Sequence, residues 1–474
     1  MQKSKPIRIL QSFDAQEWRE FDKFIRSPFF NKNESLISLF SYLKKEQQNL
    51  EGPAIDREKI WQKTFGKMAF DEAKLRYVFS DLAKLLERFI AVRELDKNKL
   101  RHNQLLLEYY SSKDIEKYFN QIFDDSQKFL QKNPARDSEF YFRNYLIEEQ
   151  HYSYSSVKRD KSLDQVLQDT ADHLDLYYLS KKLKLLCEML TRQNFLNSEY
   201  TTRLREEIMV HLRDTDYSDH PAIEIYHLVL LTLVEEQNES HFNKLIQRLN
   251  EYPKFFGPEE LRDLYFLAQN YCTKKINQGH RTYLRDYFNL SQLLLEKDLV
   301  YENRYILPSS FKNIVTVGLR LEEYDWVENF IYTYKNKLAP KYRENAFTYN
   351  LAWLHFFKEE YRKTLRLLSH VEYMDVYYIL DSKILLLKTY FELEDVDAFF
   401  SLCDSFYVYL RRNELISAYQ KTICLHFVKY VKRLMRARLG DNRASQGLLS
   451  EIRDASQVAS ISWLLKKAEL FAKE

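Results

Sequence analysis

Two histidines, His220 and His227, flank the hexapeptide PAIEIY with Glu224 between them. They are seven residues apart, a weak spacing for a metal site. No HExxH motif occurs, and no two histidines stand at i and i+4, the spacing that puts two ligands on one helix face. The glycines, at 52, 66, 257, 279, 318, 440 and 447, are scattered, so no loop can cradle a phosphate with close backbone approach. No GxSxG turn exposes a serine nucleophile. Carboxylate neighbours such as Glu235/Glu236 and Glu359/Glu360 are what any solvated helix face carries. Cys187, Cys272, Cys403 and Cys424 are far apart and form no CxxC pair, which suits buried thiols in a reducing compartment. The expectation is a chain without an active site, a metal or a cofactor.

Charge offers a second kind of chemistry. The net charge is only +3, but residues 405–474 hold 13 Lys/Arg against 6 Asp/Glu. Within HFVKYVKRLMRARLGDNR (426–443), helical spacing puts Lys429, Lys432, Arg433 and Arg436 on one face, with Phe427, Val431, Leu434 and Met435 mainly on the other. Such a stripe could hold phosphates. The competing reading is a terminal helix with its outer face in water. Residues 56–66 and 71–93 are a second nucleic-acid candidate in helix-turn-helix form. Asp71 and Glu72 at the start of the second helix would repel phosphates there, beside Lys74 and Arg76.

These residues must be positioned by helices. The 474 residues include only 7 Gly and 9 Pro, where average usage would give about 33 glycines. Apolar residues recur at three and four, and alternating patterns are scarce. The 35 Tyr, 32 Phe and 5 Trp suit half-buried helix faces, because each ring packs apolar surface and Tyr and Trp keep a polar tip. No run approaches the 18 apolar residues of a membrane span, and the basic N-terminus lacks a signal-peptide core, so a cytoplasmic location is expected.

Asp14, Asp56 and Asp71 read as helix caps in the first hundred residues. Asn31 with Glu34 reads as a capping box, and Phe29 and Phe30 as a hydrophobic staple onto the helix that follows. Residues 1–97 thus form an N-terminal helical unit. Residues 98–260 hold further amphipathic helices, with polar breaks at 131–138, 152–162 and 214–222. Lys181, Lys182 and Lys184 read as the solvated side of one of these helices.

A repeat follows in 261–474. LEEYDWV (321–327), KEEYRKT (358–364) and LEDVDAF (393–399) each link an apolar helix to another by a short acidic turn; Tyr324, Tyr361 and Val396 recur at spacings of 37 and 35. Leu351-Ala352 with Glu359-Glu360-Tyr361, and Leu386-Leu387 with Tyr390 and Glu394-Asp395-Val396, supply a Leu-led pair, an aromatic and a turn. An earlier unit starts at Leu267-Ala268 with Tyr271 and turns at Asn277-Gln278-Gly279. In this the chain resembles the tetratricopeptide repeat family, most closely over 261–404. It departs from that family in its acidic turns, in Val327, Thr364 and Phe399 at the small slot, and in His355 at an aromatic slot. The resemblance implies an all-α fold, an N-terminal helical unit followed by a right-handed α-α superhelix. It also implies a scaffold that binds a protein or peptide on the first helix of each pair. The residues it would use are Lys312, Thr316, Arg320, Tyr349, Asn350, Trp353 and Lys388. The alternative is a nucleic-acid-binding transcriptional regulator that uses the basic C-terminal helix or the N-terminal helices, with the helical repeats as its sensor region.

Overall fold

A computed structural model describes residues 3–50, 55–158, 163–196, 199–369, 376–455 and 457–471. Among these the chain is helical throughout, with no strand and only two isolated bridges, Glu302–Tyr305 and Ile306–Leu338. It divides into two compact units, Met1–Lys182 and Leu183–Glu474.

The first unit begins with α1 (Lys5–Gln11), α2 (Ala15–Arg26), α3 (Glu34–Lys45), α4 (Arg57–Phe65) and α5 (Glu72–Lys97). Asp14 caps α2 in a reciprocal box with Glu17; Asp56 and Asp71 cap α4 and α5. These caps satisfy amide donors that a helix start leaves orphaned. The five helices close over an aromatic centre in which Phe21 meets Phe40 edge-on at 4.8 Å and Trp18 stacks on Phe40 at 5.5 Å.

The segment between α2 and α3 corrects two expectations. Asn33, not Asn31, caps α3, accepting from the Ser35 amide. Asn31 is buried and stitches the turn instead: its Nδ2 donates to the carbonyls of Ile25 and Asn33, and its Oδ1 accepts from the Asn33 amide. Phe30 alone plugs the helices, stacked on Phe24 at 4.0 Å. Phe29 is 79% exposed. Phe30 fills the slot beside Phe24, and its neighbour Phe29 is left facing solvent.

The unit continues with α6 (Lys99–Ser112), α7 (Glu116–Lys132), α8 (Ser138–Lys158) and α9 (Leu163–Leu196); the boundary between the two units falls within α9. α6, α7 and α8 share a core of Leu107, Phe119, Leu130, Ile147 and Tyr154. The break expected over 152–162 is helical as far as Lys158, and 159–162 lie outside the described residues. Of the three lysines expected on a solvated side, Lys181 is exposed, while Lys184 is half-buried and meets Glu260 at 3.1 Å.

The second unit carries α10 (Arg205–Asp214), α11 (Pro221–Val234), α12 (Glu239–Glu251), α13 (Pro258–Asn277), α14 (Tyr283–Glu296), α15 (Pro308–Arg320), α16 (Tyr324–Tyr334), α17 (Arg343–Phe357), α18 (Tyr361–Leu368), α19 (Val376–Leu393), α20 (Val396–Arg412), α21 (Ala418–Arg438), α22 (Asn442–Ser445), α23 (Leu448–Asp454) and α24 (Ile461–Phe471). From α11 to α21 each helix packs on the next. α11, α13, α15, α17, α19 and α21 also form contacting neighbours, α11 with α13 and each of α15, α17 and α19 with the following odd-numbered helix.

The three acidic turns share one backbone device. Glu322, Glu359 and Glu394 lie in the left-handed region, at φ 63°, 60° and 58°. The residue after each donates its amide to the carbonyl five back: Glu323 to Gly318 at 3.0 Å, Glu360 to His355 at 2.8 Å and Asp395 to Tyr390 at 3.1 Å. This is the closure that usually ends helices at glycine. Gly279 and Gly440 close α13 and α21 in the same way, through His280 to Lys275 and Asp441 to Arg436. Between α15 and α16 a glycine is required for space: a Cβ on Gly318 would lie 2.5 Å from a methyl of buried Val327.

Candidate partner-binding face

Counted back from the left-handed residue of each turn, equivalent positions of α15, α17 and α19 line up. Ten back stand Lys312, Tyr349 and Ile384; six back, Thr316, Trp353 and Lys388; two back, Arg320, Phe357 and Glu392. α15 contacts α17 and α17 contacts α19, and two lateral pairs of these ranks meet: Lys312 with Tyr349, and Trp353 with Lys388.

Lys312 forms an ion pair with Asp381 of α19 and lies 5.8 and 5.6 Å from the rings of Tyr349 and Tyr378. The Tyr349 hydroxyl donates to the same Asp381 oxygen at 3.4 Å. Burial first, and the Asp381 charge second, hold its pKa well above the usual tyrosine value. The Lys388 ammonium lies 5.2 Å from the Trp353 ring, 5.5 Å from Trp463 of α24 and 5.8 Å from Phe356. Lys388 is only 5% exposed, and desolvation pushes its pKa down to about 7, opposed by the charges of Asp381 and Glu392. The ring faces favour the protonated form as well. Glu392 accepts from the Trp463 indole at 3.1 Å and from Lys467 at 2.8 Å.

Four of the expected residues therefore meet: Lys312 with Tyr349, and Trp353 with Lys388. Tyr349 and Lys388 are not the outward side chains anticipated, since both are buried. Asn350 is buried too, donating to the Ala346 carbonyl of its own helix at 2.7 Å, so it is not available to a partner. Thr316 and Arg320 are exposed, and Trp353 and Phe357 are half-buried. The Arg320 pKa is lowered, first by lost hydration and then by Arg281. The sequence reading missed Asp381, Phe356, Phe357, Glu392 and Trp463. Counting back from each acidic turn would have found Phe357 and Glu392; nothing local marks the other three.

The basic stripe of α21 is largely neutralised from within. Lys432 pairs with Asp404 at 2.6 Å and Arg433 with Glu451 at 2.6 Å, while Lys429 lies 4.0 Å from Glu451. Arg436 is exposed. In the helix-turn-helix candidate, Glu72 bridges Arg57 at 2.5 Å and Arg76 at 2.8 Å.

No family model, curated protein or solved structure matches the chain. Its chemistry must be read from its own residues. Among the described residues no three His, Cys, Asp or Glu side chains come together as a metal site, and no helix is long and apolar enough to cross a membrane. His227 keeps a buried Nε2 without a hydrogen bond, and burial lowers its pKa. All four cysteines are buried and free; burial raises Cys403 and Cys424 to about 12, far from a reactive thiolate.

Proposed function

We propose that this chain is a non-enzymatic scaffold, a tetratricopeptide-like helical array that binds a protein segment along α15, α17 and α19. The observation that supports the reading is the register of these helices, in which two pairs of equivalent positions meet, Lys312 with Tyr349 and Trp353 with Lys388. Most of that face is committed to internal contacts. The part left to a partner is the exposed Thr316 and Arg320 with the half-buried Trp353 and Phe357. Arg320 stands near Arg281 with no carboxylate among the described residues. The fitting ligand is thus a segment with an apolar side chain beside a carboxylate, the first for Trp353 and Phe357 and the second for Arg320.

The test is affinity capture from host lysate, with and without nuclease, using wild type and Arg320→Glu. A protein partner that survives nuclease and is lost with Arg320→Glu, at an unchanged thermal melt, supports the reading. An unchanged partner list contradicts it, as does recovery only of nucleic acid with proteins that vanish after nuclease.

A further inference from the structure

We infer that the α2–α5 face of the N-terminal unit is a two-fold docking surface for a second copy of this chain. A groove of about 550 Å³ runs between these helices, floored by Phe24, Phe30, Phe89 and Val92. The helices run antiparallel along it: Arg93 pairs with Glu17 and Glu20 near the start of α2, Phe24 meets Phe89, and Arg88 reaches Phe30 beyond the end of α2.

The two ends of the groove differ. At one end Phe29 stands out into solvent, edge-on to Phe30 at 5.0 Å. Its turn is fixed by the Asn31 hydrogen bonds and by the Phe30 and Asn31 amides, both donating to the Ser27 carbonyl. A large apolar side chain presented to water on a backbone already fixed has no backbone freedom left to lose on association, which suits an interface anchor. Beside it Arg88 lies 6.0 Å from the Phe29 ring, and Lys23 lines the groove nearer its middle; both are exposed, neither with a carboxylate partner among the described residues. At the other end Glu17 and Glu20 are tied to Arg93 and Lys97 to Glu94, and the exposed Asp96 has no cation partner among the described residues.

One surface thus carries an unpaired basic, aromatic end and an acidic end on either side of an apolar floor. A half-turn about an axis through the middle of the groove brings each end onto its complement in the second copy. Phe29 of each copy then lies over Val92 of the other, with Arg88 facing Asp96. Isologous interfaces require this self-complementarity, and opposed charges fix their register.

Sedimentation equilibrium of the full chain over a wide concentration range tests the assignment. Wild type is expected to form a reversible dimer that high salt weakens. Phe29→Glu, Arg88→Asp and Asp96→Arg should each weaken it about tenfold or more, and the Arg88→Asp/Asp96→Arg double variant should recover most of the loss. All these sites are exposed, and matching thermal melts establish that each variant folds. A monomer at every wild-type concentration overturns the assignment. So does a dimer indifferent to Phe29→Glu, which would associate elsewhere or hold Phe29 for a different protein. A double variant no better than its singles overturns the two-fold register.

Discussion

The α15–α17–α19 face and the α2–α5 groove are both rich in aromatic rings and charge, yet they differ in which charges they engage: the first leaves Arg320 without a carboxylate among the described residues, and the second ties Arg93 to Glu17 and Glu20. On the first, Lys312 is tied to Asp381, and Lys388 is enclosed by three rings. On the second, Phe29, Lys23, Arg88 and Asp96 stand exposed, and the three charges have no ionic partner among the described residues. A charge drawn under neighbouring helices must find an internal partner, because burying it alone costs several kcal/mol. A charge beside an open groove has no such requirement. Residue type on a helical wheel therefore says little about which charges remain for a ligand.

Substitutions can break this contrast, and the largest effect is expected at Glu392. It is nearly buried and holds both Lys467 and the Trp463 indole. Glu392→Ala should cost about 3 kcal/mol in urea unfolding, because it leaves the half-buried Lys467 ammonium and the Trp463 indole without their acceptor. The N-terminal turn gives a sharper internal contrast. Phe30→Ala should cost about 2 kcal/mol, below the ~3–5 of a fully enclosed phenylalanine, while Phe29→Ala next to it should stay within about 0.5 kcal/mol of wild type.

Lys388 makes the contrast depend on pH. Its folded pKa lies below that of the unfolded chain, so the unfolded state binds more protons between about pH 7 and the ordinary lysine range. Its contribution to stability therefore falls as pH drops from that range toward 7, and it levels off below. Lys388→Met should gain about 1–3 kcal/mol at pH 7, since an apolar side chain of similar length replaces a buried charge. That gain should shrink as pH rises to about 9.5. A pH-independent difference would mean the ammonium is solvated. The smallest effect is expected at the turns. Glu359→Gly relieves a left-handed residue and should stabilise by about 0.5–1 kcal/mol, with the same sign for Glu322→Gly and Glu394→Gly.

The helices themselves were legible in the sequence wherever local chemistry sets them. Asp14, Asp56 and Asp71 cap where their side-chain type places them, and the acidic turns fall where the repeat spacing locates them. Misreadings arose where tertiary contacts decide. Asn31 and Asn33 are equally good caps by type, and only the buried stitching of Asn31 separates them. Phe29 and Phe30 are identical residues, and which of them turns inward depends on Phe24 and on Arg88, more than fifty residues away. Tyr349, Asn350 and Lys388 were taken as outward because they stand on first helices. Yet the partners of Tyr349 and Lys388, Asp381 and Trp463, lie 32 and 75 residues further along the chain. No local pattern announces such a contact.

The central claim is that Lys312 of the α15–α17–α19 face is engaged internally, with Asp381, and so is not available to a partner. A double-mutant cycle on Lys312 and Asp381, with Lys312→Ala, Asp381→Ala and the pair compared by urea unfolding, tests it most directly. Engagement predicts a coupling of roughly 0.5–3 kcal/mol that persists in high salt, because the pair is partly buried. A coupling indistinguishable from zero would contradict the account and return Lys312 to the residues free to meet a partner.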